Sequence, residues 1–147
     1  MRLFSLLTIL ILSAFPRFAQ AQGNVVLFGQ GDMKTMYQWE VSSQKFSTQP
    51  RWSPSSGAPP LTIEKAVEIA TAWIKKKNPE IKNFALTSVA FSVGQAWEAQ
   101  PSERWYYRIE FQPIVGGQRL YGGQFIAVVL FDGSIVEPRA ENRVRGE

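Results

Sequence analysis

The chain contains neither cysteine nor histidine among its 147 residues. Ser-His-Asp and Cys-His catalytic groups therefore cannot be assembled, and thiolate or imidazole metal sites are excluded. Only oxygen ligands remain for a metal, and no acidic cluster has the spacing of a calcium-binding loop. Without disulfides, the burial of apolar side chains must suffice to hold the fold together. We expect no metal and no cofactor.

Glycine motifs that bind phosphate are also missing. The pairs Gly116-Gly117 and Gly122-Gly123 match neither a P-loop nor a dinucleotide fingerprint. They stand between or within predicted strands, where glycine serves turns and bulges. The sequence therefore gives no sign of nucleotide chemistry.

The N-terminus has the three parts of an export signal in the right order. Arg2 precedes an apolar stretch from Leu3 to Phe15, and Ala19-Gln20-Ala21 offers the small-x-small pattern of a signal peptidase site. The apolar stretch is shorter than the roughly 20 residues that span a membrane. We predict a signal peptide over residues 1–21, with Ala19 and Ala21 at the cleavage site and no membrane anchor afterwards. Together with the lack of cysteine, this favours a bacterial periplasm or cell exterior.

Charge gives little guidance to a partner. The full chain carries a net charge of +4, and removal of Arg2 and Arg17 with the signal leaves +2 for residues 22–147. Lys75-Lys76-Lys77 is a short basic run at the end of a predicted helix, where cations oppose the negative end of the helix dipole. We expect no nucleic-acid partner.

One amphipathic helix is predicted over residues 63–77. Thr62 suits the N-cap position, and the residue before Pro79 is disfavoured in the helical region, so Asn78 ends the run. Apolar residues recur with helical spacing at Ile63, Ala66, Val67, Ala70, Trp73 and Ile74.

The C-terminal half has the period of two that is typical of strands. Alternation predicts strands over residues 84–93 and 104–112, the latter with Trp105, Tyr107, Ile109 and Phe111 on one face. A longer strand over residues 118–131 is expected to bend at Gly122-Gly123, and its end from Phe125 to Phe131 is apolar on both faces, as in a central strand. Asp132-Gly133 indicates a hairpin into a short strand, Ser134 to Glu137.

These elements predict an α+β fold in which one amphipathic helix packs on an antiparallel sheet of about four to five strands. Within residues 22–60, residues 22–36 would form a lead-in that is either loose or contains one short strand around the apolar patch Val25 to Phe28. They would be followed by a strand over residues 37–41 and, up to residue 60, by a connector rich in proline and serine, in which Trp52 contacts the body. Residues 61–138 would form the α+β domain, ended by Pro138. Residues 139–147 read as a charged tail that frays.

The order of these features resembles PepSY-like domains, which are small exported bacterial modules. The resemblance rests on the helix sequence Leu61 to Ala70, on Trp105-Tyr106-Tyr107 in a strand and on Val128 to Val136 around Asp132-Gly133. It covers residues 61–137. Members of that family are regarded as binding or inhibitory modules, some of them attached to peptidases. The resemblance therefore implies a role without catalysis.

The second face of the sheet is a candidate binding surface. It carries a row of amphipathic and charged side chains of types that are common at interfaces: Tyr106, Arg108, Glu110 and Gln112. A protein or cell-envelope partner would bind there or at a sheet edge. Alternatively, residues 37–60 fold over this face, and Tyr106 is then a packing residue.

Two other functions stay open. A glycan hydrolase would need paired carboxylates, with Glu110 as the best candidate and Glu103, Asp132 or Glu137 as its partner. An oligomerising domain would use an uncovered face as a self-interface, and the sequence leaves the oligomeric state open.

Overall fold

A computed structural model describes residues 23–31, 35–94, 104–120 and 124–142. These residues are mostly antiparallel β structure. The elements are, in chain order, β1 (Asn24–Gly31), β2 (Thr35–Ser42), α1 (Ser43–Ser47), α2 (Ile63–Lys77), β3 (Asn83–Val93), β4 (Trp105–Val115), β5 (Gln118–Arg119), β6 (Phe125–Leu130), β7 (Ile135–Val136) and β8 (Pro138–Asn142).

The strands form two sheets, so the predicted architecture of one helix on one sheet is wrong. A five-stranded sheet has the order β3-β4-β6-β7, with β5 paired to β4, and a three-stranded sheet has the order β1-β2-β8. The sequence predicts a single sheet because the segment that forms β1 has the features of a lead-in and the segment that forms β8 those of a charged tail. Each of these strands pairs with β2 and neither forms a ladder with the other, so together they create the second sheet.

The prediction that the chain frays after Pro138 is wrong for residues 139–142. Together with Pro138 they form β8, whose register with β2 runs from Pro138 opposite Trp39 to Asn142 opposite Thr35. Proline is tolerated at the first position of an edge strand, because the missing N–H need not face a neighbour. The polar composition of β8 fits an edge exposed to water.

The predicted helix over residues 63–77 is confirmed as α2. The Thr62 hydroxyl accepts a hydrogen bond from the Lys65 N–H at 3.3 Å, which satisfies one of the unpaired donors of the first turn. Ala66, Ala70 and Ile74 are buried against the five-stranded sheet. Small residues at two of these positions let the helix approach β6 closely.

The five-stranded sheet is covered on both faces. Its first face contacts α2 through Tyr107, Ile109 and Phe111, as predicted for β4. Its second face contacts the three-stranded sheet, and the residues buried between the two sheets are Leu27, Trp39, Val41, Phe46, Tyr106, Ile126, Val128, Leu130 and Val136. The prediction that β6 is a central strand covered on both faces is confirmed, since its residues alternate between these two clusters.

Glycine turns define the hairpins. Gly116 and Gly117 both have positive φ (59° and 81°), as a tight two-residue hairpin turn requires, and they lead from β4 into β5. Gly133 has φ of 82° in the predicted Asp132-Gly133 turn between β6 and β7. The predicted bend at Gly122-Gly123 lies outside the described residues.

The predicted alternation of β3 is interrupted. A bulge between Leu86 and Ser88 leaves Thr87 as an extra residue opposite Glu110, and the Thr87 hydroxyl donates to the Glu110 carbonyl at 3.0 Å. Phe84 lies before the bulge and Val89 and Phe91 after it, yet all three pack towards α2. One extra residue reverses the alternation at the bulge, which explains this change of phase.

Two short segments connect the layers. Only Glu137 separates β7 from β8, so the chain passes from one sheet to the other within one residue.

The proline-rich connector is held by Trp52, as predicted. The Trp52 ring stacks on Phe91 with centroids 5.2 Å apart, and its Nε1–H donates to the Gly57 carbonyl at 3.0 Å.

Candidate functional site

The predicted row on the second sheet face is largely covered. Tyr106 is only 2 % exposed and belongs to the cluster between the sheets. Its hydroxyl donates to the Leu27 carbonyl of β1. The alternative in which an N-terminal segment covers this face therefore matches the structure, but the covering segment begins earlier than residue 37, with β1.

Tyr106 has the chemistry of a buried hydrogen-bond donor. Burial raises the pKa of its hydroxyl, and a hydrogen bond with Ser92 and the charge of Arg108 offset this only in part. The hydroxyl therefore stays protonated near neutral pH and keeps its bond to Leu27. This bond links the two sheets directly.

Arg108 and Glu110 follow Tyr106 on the same face of β4, and their opposite charges sum to zero. Arg108 Nε lies 3.1 Å from Glu110 Oε1, but its N–H does not point at the carboxylate, so the contact is an ion pair without a hydrogen bond. The guanidinium carbon lies 5.0 Å from the centre of the Phe28 ring. Gln124 Nε2 donates to Glu110 Oε2 at 2.6 Å. Gln112, the last member of the row, is half-buried opposite Ala85.

The carboxylates proposed for glycan hydrolysis occupy separate environments. Glu110 contacts Arg108 and Gln124, whereas Glu137 binds Lys77 of α2 at 2.9 Å. Asp132 is hydrogen-bonded to Gln49 and Ser134 in the hairpin between β6 and β7. The three have no side-chain partner in common. Glu103 lies outside the described residues.

Asp132 has a structural role that the sequence did not indicate. Its Oδ2 accepts from Gln49 Nε2 at 2.8 Å, and its Oδ1 accepts from the Ser134 N–H and hydroxyl at 2.9 and 2.6 Å. Gln49 is only 4 % exposed, and its own Oε1 accepts from the Asp132 N–H. Burial alone would raise the pKa of the Asp132 carboxyl, but these hydrogen bonds outweigh it and the pKa is lowered.

We expect Asp132→Asn to lower the free energy of unfolding by about 1 kcal/mol at pH 7, because an amide offers one acceptor where two are used. A lowered folded-state pKa stabilises the protein above the unfolded value of about 3.9, and this contribution disappears as the pH falls through the folded value. Urea unfolding at pH 7 and pH 3 should therefore show a smaller difference between variant and parent at the lower pH. A constant difference would contradict this role.

The outer edge of β3 is a candidate binding feature of the five-stranded sheet. Within the described part of the chain, β4 is the one strand that pairs with β3. The Gly94 N–H donates to the Arg104 carbonyl at 3.2 Å, so these two residues form a hydrogen-bonded pair of the antiparallel ladder. Hydrogen-bonded pairs recur at every second residue along such a ladder. The main-chain groups of Ser92 and Ala90 then face β4, and those of Val93, Phe91 and Val89 face away from it.

The edge of β1 lies beside this edge. A bulge at Leu27 turns its carbonyl towards Tyr106, so β1 crosses over β4 next to β3. An open cleft of about 480 Å³ separates the two edges, lined by residues 26–29 of β1, by Ser92 and Val93 of β3 and by Tyr106. None of these lining residues carries a formal charge.

The edges at the cleft lack the usual protection against pairing. Neither β1 (NVVLFGQG) nor β3 (NFALTSVAFSV) contains a charged residue or a proline. By contrast, the edge strand β8 contains Pro138, Arg139 and Glu141, and the edge strand β7 has two residues. Natural sheets limit unwanted strand addition with charges, prolines and short edges. Among the described strands, the two outer edges that flank the cleft therefore lack these means of limiting strand addition.

Part of this site could have been found in the sequence. The absence of charge from residues 83–93 is visible there, and a long uncharged edge strand is a known pairing hazard. The position of β3 at an edge and the neighbouring position of β1 depend on pairing between distant segments, which local patterns do not specify.

A scan against protein-family models, a search of curated proteins and a search of solved structures each returned no match. The resemblance to PepSY-like domains therefore stays a prediction. In the part of the chain that the structure describes, no helix is long and apolar enough to cross a membrane. That part also contains no group of three or more acidic side chains arranged to hold a metal ion.

Proposed function

We propose that this chain is an exported module without catalytic activity that binds another protein by adding an extended segment of it to the free edge of β3. The single observation that carries the proposal is the outer edge of this eleven-residue, uncharged strand, which pairs with no strand in the described part of the chain. Main-chain hydrogen bonds from such an edge supply affinity for any extended chain, and neighbouring pockets supply selectivity.

The covered sheet face favours the edge over the face as the binding site. Tyr106 is buried, and Arg108 and Glu110 neutralise each other beneath Phe28. What remains accessible is the edge, together with exposed apolar side chains such as Leu86, which is 45 % exposed on β3. Export rests on the N-terminal signal pattern, and the resemblance to PepSY-like domains agrees with a binding role.

The proposal is tested by selecting ligands from a phage-displayed library of random peptides long enough to span β3. Enriched peptides are then synthesised, and their dissociation constants are measured by fluorescence anisotropy. We expect Val93→Pro to weaken binding by about tenfold or more, because proline removes an outward N–H and its hydrogen bond to the ligand.

Val93→Thr is the matched control, because threonine keeps the branched shape and the N–H, and we expect its affinity to stay within about twofold of the parent. Leu86→Lys is a second edge variant that touches an exposed position and places a charge on the strand. Thermal unfolding verifies that each variant is folded. The absence of enriched peptides, or equal binding by the parent and both edge variants, would overturn the proposal.

A further inference from the structure

We infer that the bound segment inserts between β3 and β1, in the cleft between the two sheets, and that it is an extended stretch of another polypeptide with an uncharged centre. This inference rests on the proposed function and specifies both its position and its ligand. The occupant would thereby add a strand that connects the two sheets on the side where no described strand joins them.

In the described part of the chain, the two sheets are joined on one side and not on the other. Because Glu137 alone separates β7 from β8, the five-stranded and three-stranded sheets are joined covalently there. At the opposite ends of the two sheet orders stand β3 and β1, and the cleft lies between them. We call this region the seam: residues 26–29, Ser92, Val93 and Tyr106.

The two edges of the seam run in opposite directions. β1 begins beside α1, where the Ser43 N–H donates to the Gly23 carbonyl at 2.9 Å. The Phe46 ring of α1 lies so close to Gly94 that a Cβ there would be 2.1 Å from it, which places the start of β1 near the end of β3. An inserted strand is therefore antiparallel to one edge and parallel to the other. We assign the antiparallel pairing to β3, the longer strand, because antiparallel ladders are slightly more stable.

The lack of charged residues in the seam indicates which side chains a ligand can place there. The seam has no charged residue of its own, and Arg108 and Glu110, further along β4 from Tyr106, lie 3.1 Å apart and compensate each other. A charged side chain in the seam would lose water without gaining a partner, which is costly. The floor contains the hydroxyls of Tyr106 and Ser92, which already bond to Leu27 and to each other, and apolar surface from Val26 and Phe28. This lining suits apolar and hydroxyl side chains over about five or six residues, the usual length of a strand.

The test uses the peptides enriched from the same library. We expect their central positions to be depleted of Lys, Arg, Asp and Glu relative to the unselected library. Val26→Lys places a cation on the β1 side of the seam at a position that is 40 % exposed, and we expect it to weaken binding by about tenfold or more. Tyr37→Lys is the matched control, since Tyr37 is 45 % exposed on the neighbouring strand and does not line the seam, and it should bind within about twofold of the parent.

Hydrogen exchange supplies a second readout that needs no variant: peptide binding should slow exchange of main-chain amides in both β1 and β3. If Val93→Pro weakens binding but Val26→Lys does not, and protection is confined to β3, insertion between β3 and β1 is contradicted. Binding at the edge of β3 would still stand. Enriched peptides with charged centres would overturn the ligand class. A concentration-dependent dimer that both Val93→Pro and Val26→Lys dissociate would assign the seam to a second copy of the chain and also overturn the inference.

Discussion

Tyr106→Ala is expected to lower the free energy of unfolding by about 3–5 kcal/mol, the usual loss for a large buried aromatic side chain. The side chain is 2 % exposed between the two sheets, and its hydroxyl satisfies the Leu27 carbonyl. The substitution therefore leaves a cavity and removes a link between the sheets. Urea unfolding followed by tryptophan fluorescence measures the effect.

Tyr106→Ala distinguishes the two-sheet structure from a fold with a single sheet. With a single sheet whose second face is open to water, Tyr106 would be a surface residue and its loss would cost about 0.5 kcal/mol. Tyr37→Ala is the control, because Tyr37 is 45 % exposed on the outer sheet and should show only that small effect. Equal, small losses for both variants would argue against the three-stranded sheet as a cover.

Ile74→Ala is expected to lower the free energy of unfolding by about 2–5 kcal/mol. Ile74 is 1 % exposed in the cluster between α2 and the five-stranded sheet, beside Ala70. Alanine is the better helix former, so a loss of this size can only come from the packing of the helix on the sheet.

The same substitution at the start of the helix provides the comparison. Ile63 is the first residue of α2 and is 41 % exposed, so Ile63→Ala should change stability by about 0.5 kcal/mol at most. Circular dichroism during urea unfolding reports on both variants. A small loss at Ile74 would mean that the apolar stripe of the helix does not face the sheet.

The helix could be predicted to the residue because its signals are local. Thr62 caps its first turn, and Asn78 ends it one residue before Pro79. The hairpin at Asp132-Gly133 was predictable for the same reason, since a positive φ at Gly133 is a property of the turn itself. Signals of this kind need no knowledge of the rest of the chain.

The second sheet could not be predicted because two of its three strands lack a clear pattern. β1 has a bulge at Leu27 that breaks the alternation, and β8 is polar and begins with Pro138. Both become strands because they pair with β2, and pairing is a property of distant segments. The same limit applies to the candidate site. The row that includes Tyr106 and Arg108 was correctly placed on one face of β4, but its burial depends on β1.

The pairing of β2 with β8 has a consequence for how the chain reaches its final form. Thr35 lies opposite Asn142, so one of the last described strands completes a ladder begun near the first. Closing such a long loop is entropically unfavourable and slows folding. The second sheet can therefore be completed only after residues 138–142 have been synthesised.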